Sequence, residues 1–433
     1  MSAARSLVVV LDATSIPPNR GGVGLYLSGL ISALPKVLAQ DESVVVFVKP
    51  EDSDIVPGAI AAGNRGAQGL RARTAWLPSR AARLAWEQAV LPGRVAREGA
   101  QVLHCPHYTV PLVCAAKRVV TFHDATFFTH PRYHERAKVE FFRRAMRQAA
   151  RRAERIIMVS QTTADDLVPI LGLDPGRVRV VPHGVDHARF RPLALGALPG
   201  TPTSGASSGV LPSEAKCDVA LSGAPSDVRP PGGFADPAAV WGALARHGVE
   251  GPYLLFLGTL EPRKNIPRLI EAFDHAVTRE SLPHTLVLAG APGWDREALD
   301  TALAGAKAPV RRLGYVDEAD KPLLLAGASA MAYPSLYEGF GMPVIEAMAC
   351  GAPVVTSNVG ATAEVAGQAA VLVDPEDVEG MADALAGVLA DPAAAQRLRR
   401  SGLERASAFT WEATARLTLD VYREAAACSA ASA

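Results

Sequence analysis

Glu338 and Glu346 flank the stretch Gly339-Phe340-Gly341-Met342-Pro343, in which a glycine-rich turn opens a helix beginning near Met342. A helix start offers unpaired N–H groups and a partial positive charge, which favour an anionic or hydroxyl-rich ligand. Glu338 lies in the turn and Glu346 about one helical turn inside. Both can therefore point toward a ligand whose hydroxyls want charged acceptors, as those of sugars and riboses do. Taken alone, the pair reads equally well as a helix cap and a solvated helix residue. Arg263 and Lys264 follow the apolar run Tyr253-Leu254-Leu255-Phe256-Leu257 and then Gly258-Thr259. Two fixed cations directly behind a buried-strand pattern suit a bound anion better than a solvated turn. His123-Asp124 closes another apolar run, at the strand end where open α/β sheets bind ligands, although a lone histidine there is more often structural. Arg20-Gly21-Gly22-Val23-Gly24 lies between the first strand and a helix, where backbone amides can approach a ligand. It is not G-x-G-x-x-G, so the dinucleotide fingerprint is not met.

These residues sit at the ends of a recurring element. Short apolar runs at residues 7–12, 44–49, 102–107, 119–124, 156–160 and 178–184 read as buried strands, and helical spacing fills residues 23–38, 81–97 and 136–155 between them. The same grammar restarts at Tyr253 and continues through 285–290, 311–316, 330–334, 353–357 and 370–374. Strands alternating with helices predict parallel, doubly wound sheets, so two Rossmann-like α/β units in tandem are expected. The predicted organisation is an N-terminal unit over 1–190, a Gly/Pro/Ser-rich linker or insertion over 191–240, a C-terminal unit over 241–410 and a final helix over 411–433. Within the linker, the composition of residues 192–237 is too poor in large apolar side chains to offset its ordering entropy, and a mobile loop is expected. The final helix carries Ala415, Leu419 and Tyr422 at helical spacing, suited to packing back across a domain.

The composition bounds the function. The chain has 433 residues, 49% of them hydrophobic, enough for two cores. Lys+Arg and Asp+Glu number 44 each, so no global charge draws it to nucleic acid. Five cysteines without a C-x-x-C pair argue against a disulfide framework or zinc site and fit a reducing cytosol. Neither a signal peptide nor a membrane-spanning run is evident. A cytoplasmic protein is expected, with peripheral contact at the inner membrane face left open.

The full string Tyr337-Glu338-Gly339-Phe340-Gly341-Met342-Pro343-Val344-Ile345-Glu346 resembles the E-x7-E motif of the retaining glycosyltransferases of family 4. Phe256-Leu257-Gly258-Thr259-Leu260-Glu261-Pro262-Arg263-Lys264 resembles that family's phosphate-binding segment, and Val180-Val181-Pro182-His183-Gly184-Val185-Asp186 its interdomain signature. The resemblance implies the GT-B fold, two Rossmann-like domains facing a cleft, and transfer of a hexose from a nucleotide diphosphate sugar. It implies that Arg263 and Lys264 contact the donor diphosphate, Glu338 the transferred sugar and Glu346 the ribose. Backbone groups of Phe340, Gly341 and Met342 would bind sugar oxygens, with Gly22, Gly24, Gly258 and Thr259 lining the donor site and His123 beside the transferred sugar. Many relatives carry Arg where this chain has Thr259, which leaves the phosphate charge to Arg263 and Lys264. Within the family the look is closest to bacterial O-antigen or exopolysaccharide mannosyltransferases, with GDP-mannose as donor, a glycan or lipid-linked acceptor and no metal or other cofactor. The oligomeric state is left open.

Asp52-Ser53-Asp54 resembles a metal-binding D-x-D but falls in an early, Pro-bounded loop, so ordinary surface aspartates explain it. The 136–155 helix sets Arg144, Arg147, Arg151 and Arg155 opposite Phe142, Met146, Ala149 and Ala153. It reads first as a solvated helix and second as a surface for anionic lipid. Two other classes remain as alternatives: an NAD(P)-dependent oxidoreductase and a catalytically idle glycan-binding scaffold.

Overall fold

The computed structural model describes residues 6–17, 21–56, 69–193, 232–294 and 297–428. Arg20 and most of the stretch expected to be a mobile loop lie outside the described residues.

Two sheets carry the fold. The first holds β1 (Leu7–Asp12), β2 (Glu42–Val48), β3 (Leu70–Thr74), β4 (Val102–Cys105), β5 (Lys117–Phe122), β6 (Arg155–Met158) and β7 (Val178–Val180), in the order β3-β2-β1-β4-β5-β6-β7. The second holds β8 (Tyr253–Leu257), β9 (Thr285–Ala289), β10 (Val310–Gly314), β11 (Ala330–Tyr333), β12 (Val354–Ser357) and β13 (Val371–Val373), in the order β10-β9-β8-β11-β12-β13. All pairings are parallel. Helices cover both faces, so central strands such as Tyr253–Leu257 are buried throughout and read as unbroken apolar runs. Strand order reverses between β1 and β4 and between β8 and β11. In open α/β sheets such switch points open a crevice at the carboxyl ends of the strands.

The structure departs from the sequence reading in four places, the first being Asp52, which was expected at the surface but is 3% exposed and pairs with Lys49 at 3.1 Å. β3, Leu-Arg-Ala-Arg-Thr, was not expected: it is an edge strand with one fully buried residue, and so lacks the apolar run that marks the others. Residues 81–97 are two helices, Arg80–Ala89 and Leu91–Arg97, because Pro92 starts a new helix at its N-terminal turn. The helix expected to reach Arg155 ends at Arg152. Arg155 opens β6 and pairs with Glu424 at 2.9 Å, so it does not belong to an exposed arginine face.

The first sheet has two core layers. Helices Arg80–Ala89, Leu91–Arg97 and Arg136–Arg152 pack on one face, through Trp86, Leu91, Val95, Val139 and Met146. Helix Gly22–Ala33 packs on the other, together with the last helix, Trp411–Ala427, whose Ala415, Leu419, Val421, Tyr422 and Ala425 are buried there. The Tyr422 hydroxyl lies 2.7 Å from His104 Nδ1 under this layer. The chain reaches that face by crossing itself at Gly184, where an added Cβ would meet the Trp411 nitrogen at 2.3 Å.

Candidate functional site

β8 and β11 flank the switch point of the second sheet, and each delivers one part of the site. Past β8, Gly258 turns at φ +154°, and its carbonyl lies so close to Gly290 that a Cβ there would sit 1.9 Å from the oxygen. The turn Pro262–Lys264 then ends on Asn265 at φ +60°, held by its side-chain amide donating to the Pro375 carbonyl at 2.6 Å. That turn aims Arg263 and Lys264 at the loop beyond β11. Arg263 donates to Glu338 Oε2 at 2.7 Å, to Glu261 at 2.6 Å and to the Tyr337 carbonyl at 2.7 Å. Lys264 donates to Glu338 Oε1 and to the Tyr333 hydroxyl, and its ammonium lies over the Tyr333 ring. Two cations are thus held against two carboxylates, and the group is locally neutral. Burial works to raise the Glu338 carboxyl, but Arg263 and Lys264 outweigh it and hold it down to about 2. Burial and then Arg263 lower Lys264.

The same loop ends at Gly341, φ +99°, the N-cap of helix Met342–Ala349. The amides of Phe340, Gly341 and Met342 donate no hydrogen bond among the described residues, so the helix start presents free donors beside Glu338. Glu346 lies inside this helix and is 7% exposed. Burial raises its carboxyl to about 7, Lys321 opposing and Glu318 adding to the rise. Thr259 is exposed and Gly258 partly so, beside the turn that carries the cations.

The first sheet meets this loop at Gly339. A Cβ on Gly339 would lie 1.8 Å from the His123 carbonyl oxygen, so only glycine allows the two backbones to touch. The Gly339 carbonyl accepts from Ser160 Oγ at 2.6 Å and Thr163 Oγ1 at 3.1 Å. Tyr337 reaches across to donate to Asp166 at 2.7 Å. Glu364 accepts from the amides of Gln161 and Thr162 at 2.8 and 2.9 Å, capping a helix of the opposite half. His123 is thereby brought next to the Glu338 loop. Its Nε2 lies 2.7 Å from the Pro106 carbonyl and carries the proton, which leaves Nδ1 as an acceptor; burial keeps the ring neutral. Asp124 accepts from the Thr126 amide and hydroxyl, so it shapes the turn after β5.

Gly22 and Gly24 form the first turn of helix Gly22–Ala33, and Tyr26 on that helix packs on His123 and His183 with ring centroids 5.2 and 4.9 Å away. His183 packs in turn on Phe340 at 4.8 Å, and its buried Nδ1 has no partner among the described residues. The sequence reading did not nominate Tyr333, Ser160, Thr163, Glu364 or Tyr26. Tyr333 is 69 residues from Lys264 and Ser160 is 179 from Gly339, separations at which no local pattern exists.

Comparison with known proteins agrees with this architecture. Residues 20–189 match the family model described as Glycosyltransferase Family 4, and residues 245–405 that of Glycosyl transferases group 1. O-antigen chain mannosyltransferase B of Escherichia coli is 30% identical over 326 residues, which cover 74% of each chain. The chain belongs to glycosyltransferase family 4. A glycogen synthase of Mycobacterium tuberculosis is 38% identical to the transferase over 190 residues, 43% of this chain and 46% of that one. The solved sucrose-phosphate synthase of Thermosynechococcus elongatus shares the fold, with a TM-score of 0.68 at 21% identity over 98% of this chain and 100% of that one. Membership of this family sets aside the oxidoreductase alternative. The two sheets facing one another across Gly339 are the GT-B arrangement, and the protein is a glycosyltransferase.

Proposed function

We propose that the transferase moves mannose from GDP-mannose to a hydroxyl of a glycan or lipid-linked acceptor in polysaccharide assembly, with retention at the anomeric carbon. The observation that carries this reading is the convergence of Arg263, Lys264 and Glu338 at the β8/β11 switch point, beside the free amides of residues 340–342 and against His123. Departure of a nucleoside diphosphate builds negative charge on its phosphates. Cations already held in place stabilise that charge more than they stabilise the intact donor. When the diphosphate takes over Arg263 and Lys264, Glu338 is released to accept from a sugar hydroxyl. Glu346 accepts from the ribose, and the amides of Phe340, Gly341 and Met342, with Gly258 and Thr259, bind the remaining donor oxygens. Gly22 and Gly24 border the sugar from the other half. His123, with Nδ1 free to accept, lies beside the transferred sugar. Arg263 and Lys264 supply the charge a metal supplies elsewhere, so the reaction runs without one. Mannose is supported by the name of the Escherichia coli relative.

Retention follows from front-face attack, in which the departing diphosphate takes the acceptor's proton and no protein nucleophile is needed. A cytoplasmic location agrees with the free thiols of Cys105, Cys114, Cys350 and Cys428. No helix among the described residues is long and apolar enough to cross a membrane. The deciding experiment is a thermal-shift screen of purified protein against GDP, UDP, dTDP and their sugar conjugates. Stabilisation by GDP and GDP-mannose above the others supports the reading. Preference for UDP or dTDP replaces the donor, and silence from all of them removes the donor site. NMR of the product's anomeric proton then reads retention directly.

A further inference from the structure

The helix Arg80–Ala89 turns two of its three charges, Arg83 and Glu87, away from solvent and leaves only Arg80 exposed. Glu87 is 1% exposed and, with Arg83 at 3.0 Å, faces inward, where Thr109 donates to it. Between Arg80 and Gln88 at the helix ends, the exposed residues are Ala81 and Ala85; Ala89 is exposed too, and Val90 follows at 42% exposure. Large apolar side chains extend this surface at both ends. Trp76, 78% exposed, precedes the helix, and Leu112 and Val113, 46% and 79% exposed, adjoin its far end, where Gln88 Oε1 accepts from the Leu112 amide at 2.9 Å. Cations are concentrated in this part of the chain. Residues 70–155 contain 17 Lys and Arg against 6 Asp and Glu, although the whole chain is balanced at 44 each. Arg94, Arg97, Arg136 and Arg151 are exposed and make no salt bridge among the described residues. The helices that bear them cover the same face of the first sheet, opposite the last helix.

We infer that this face of the N-terminal half, centred on Trp76, Val90, Leu112 and Val113 and rimmed by arginines, docks on an anionic lipid surface. Apolar side chains within a cationic rim fit a bilayer interface, where the former enter the acyl boundary and the latter meet the headgroups. A nucleic-acid backbone would satisfy the arginines but leave Val90, Leu112 and Val113 in water. The surface lies outside the donor site, so docking and donor binding can fail separately.

The test is flotation of the full chain with vesicles of phosphatidylcholine alone or mixed equally with phosphatidylglycerol. Binding to the mixed vesicles only, weakened by salt, is expected. Each arginine near such a surface is worth about fivefold in partitioning, so R94E/R97E lowers it by at least about twentyfold. W76A/V113E abolishes it, with the unfolding temperature and GDP-induced stabilisation unchanged. No flotation with mixed vesicles at low salt overturns the inference, as does equal flotation with both vesicle types. If R94E/R97E loses binding while W76A/V113E keeps it, the face is a site for soluble polyanions such as nucleic acid, and lipid docking is wrong.

Discussion

Glu338 is the residue on which both stability and chemistry turn. It pairs with both Arg263 and Lys264, which burial would otherwise leave costly, while Glu261 supplies the second negative charge, and breaking such a group by removing one partner costs about 3 kcal/mol or more. The variant E338Q is therefore expected to melt earlier and to lose turnover by about 100-fold or more. Its distinctive signature is that GDP restores E338Q proportionally more than wild type, because the diphosphate supplies the missing anion; calorimetry with and without GDP checks this, and an unchanged melt with near-normal turnover would sink the assigned role. Glu346 has the opposite character. Its carboxyl is raised from 4.5 to about 7 by burial, so the folded state holds the proton more tightly than the unfolded chain. The resulting stability, about 3 kcal/mol, is full below pH 4.5 and is lost as pH rises through about 7. E346Q should flatten this decline in unfolding temperature, while wild-type affinity for GDP rises across the same window as the carboxylate forms. Both glutamates were legible as a pair from their setting in a Gly-rich helix start. Their contrasting ionisation was not, because it depends on Arg263 and Lys264 in one case and on solvent exclusion in the other.

At the scale of elements, the decisive contact is between the loop after β11 and the strand end of β5. Gly339 alone permits it, since a Cβ would sit 1.8 Å from the His123 carbonyl and 2.8 Å from the Asp124 Cβ. G339A is expected to push the two halves apart locally, and a displacement of about 1 Å costs roughly 100-fold in rate. GDP affinity should change little, because Arg263, Lys264 and Glu346 belong to the second half; turnover at saturating donor together with titration calorimetry separates the two. A parallel fall in affinity and rate would mean that Gly339 serves the second half alone. Most strands were visible as apolar runs ending in Gly, Pro, Asp or Ser, and β3 was the exception for want of such a run. The glycine run around 339 was visible too, but the reason for it, a carbonyl from another sheet, was not.

For the whole molecule, the last helix ties the two ends of the chain together. Leu419, Val421, Tyr422, Ala415 and Ala425 bury a surface worth of order 10 kcal/mol against the first sheet, comparable to the net stability of a domain. A chain ending at Phe409 is expected to lose cooperative unfolding of its N-terminal half and to expose it to proteolysis, while the C-terminal half still binds GDP; a truncated chain that melts like wild type would contradict this. The sequence by itself determined the alternation of strand and helix, the two-sheet α/β class and the local motifs, because these rest on periodicity and on residues within a few positions of one another. Only the tertiary structure decided which groups meet: Lys264 with Tyr333, Ser160 with Gly339, Tyr422 with His104. It also decided that the Arg80–Ala89 helix turns Arg83 and Glu87 inward. Such contacts join residues tens to hundreds of positions apart, and their geometry is set by how the layers pack, which no window of sequence contains.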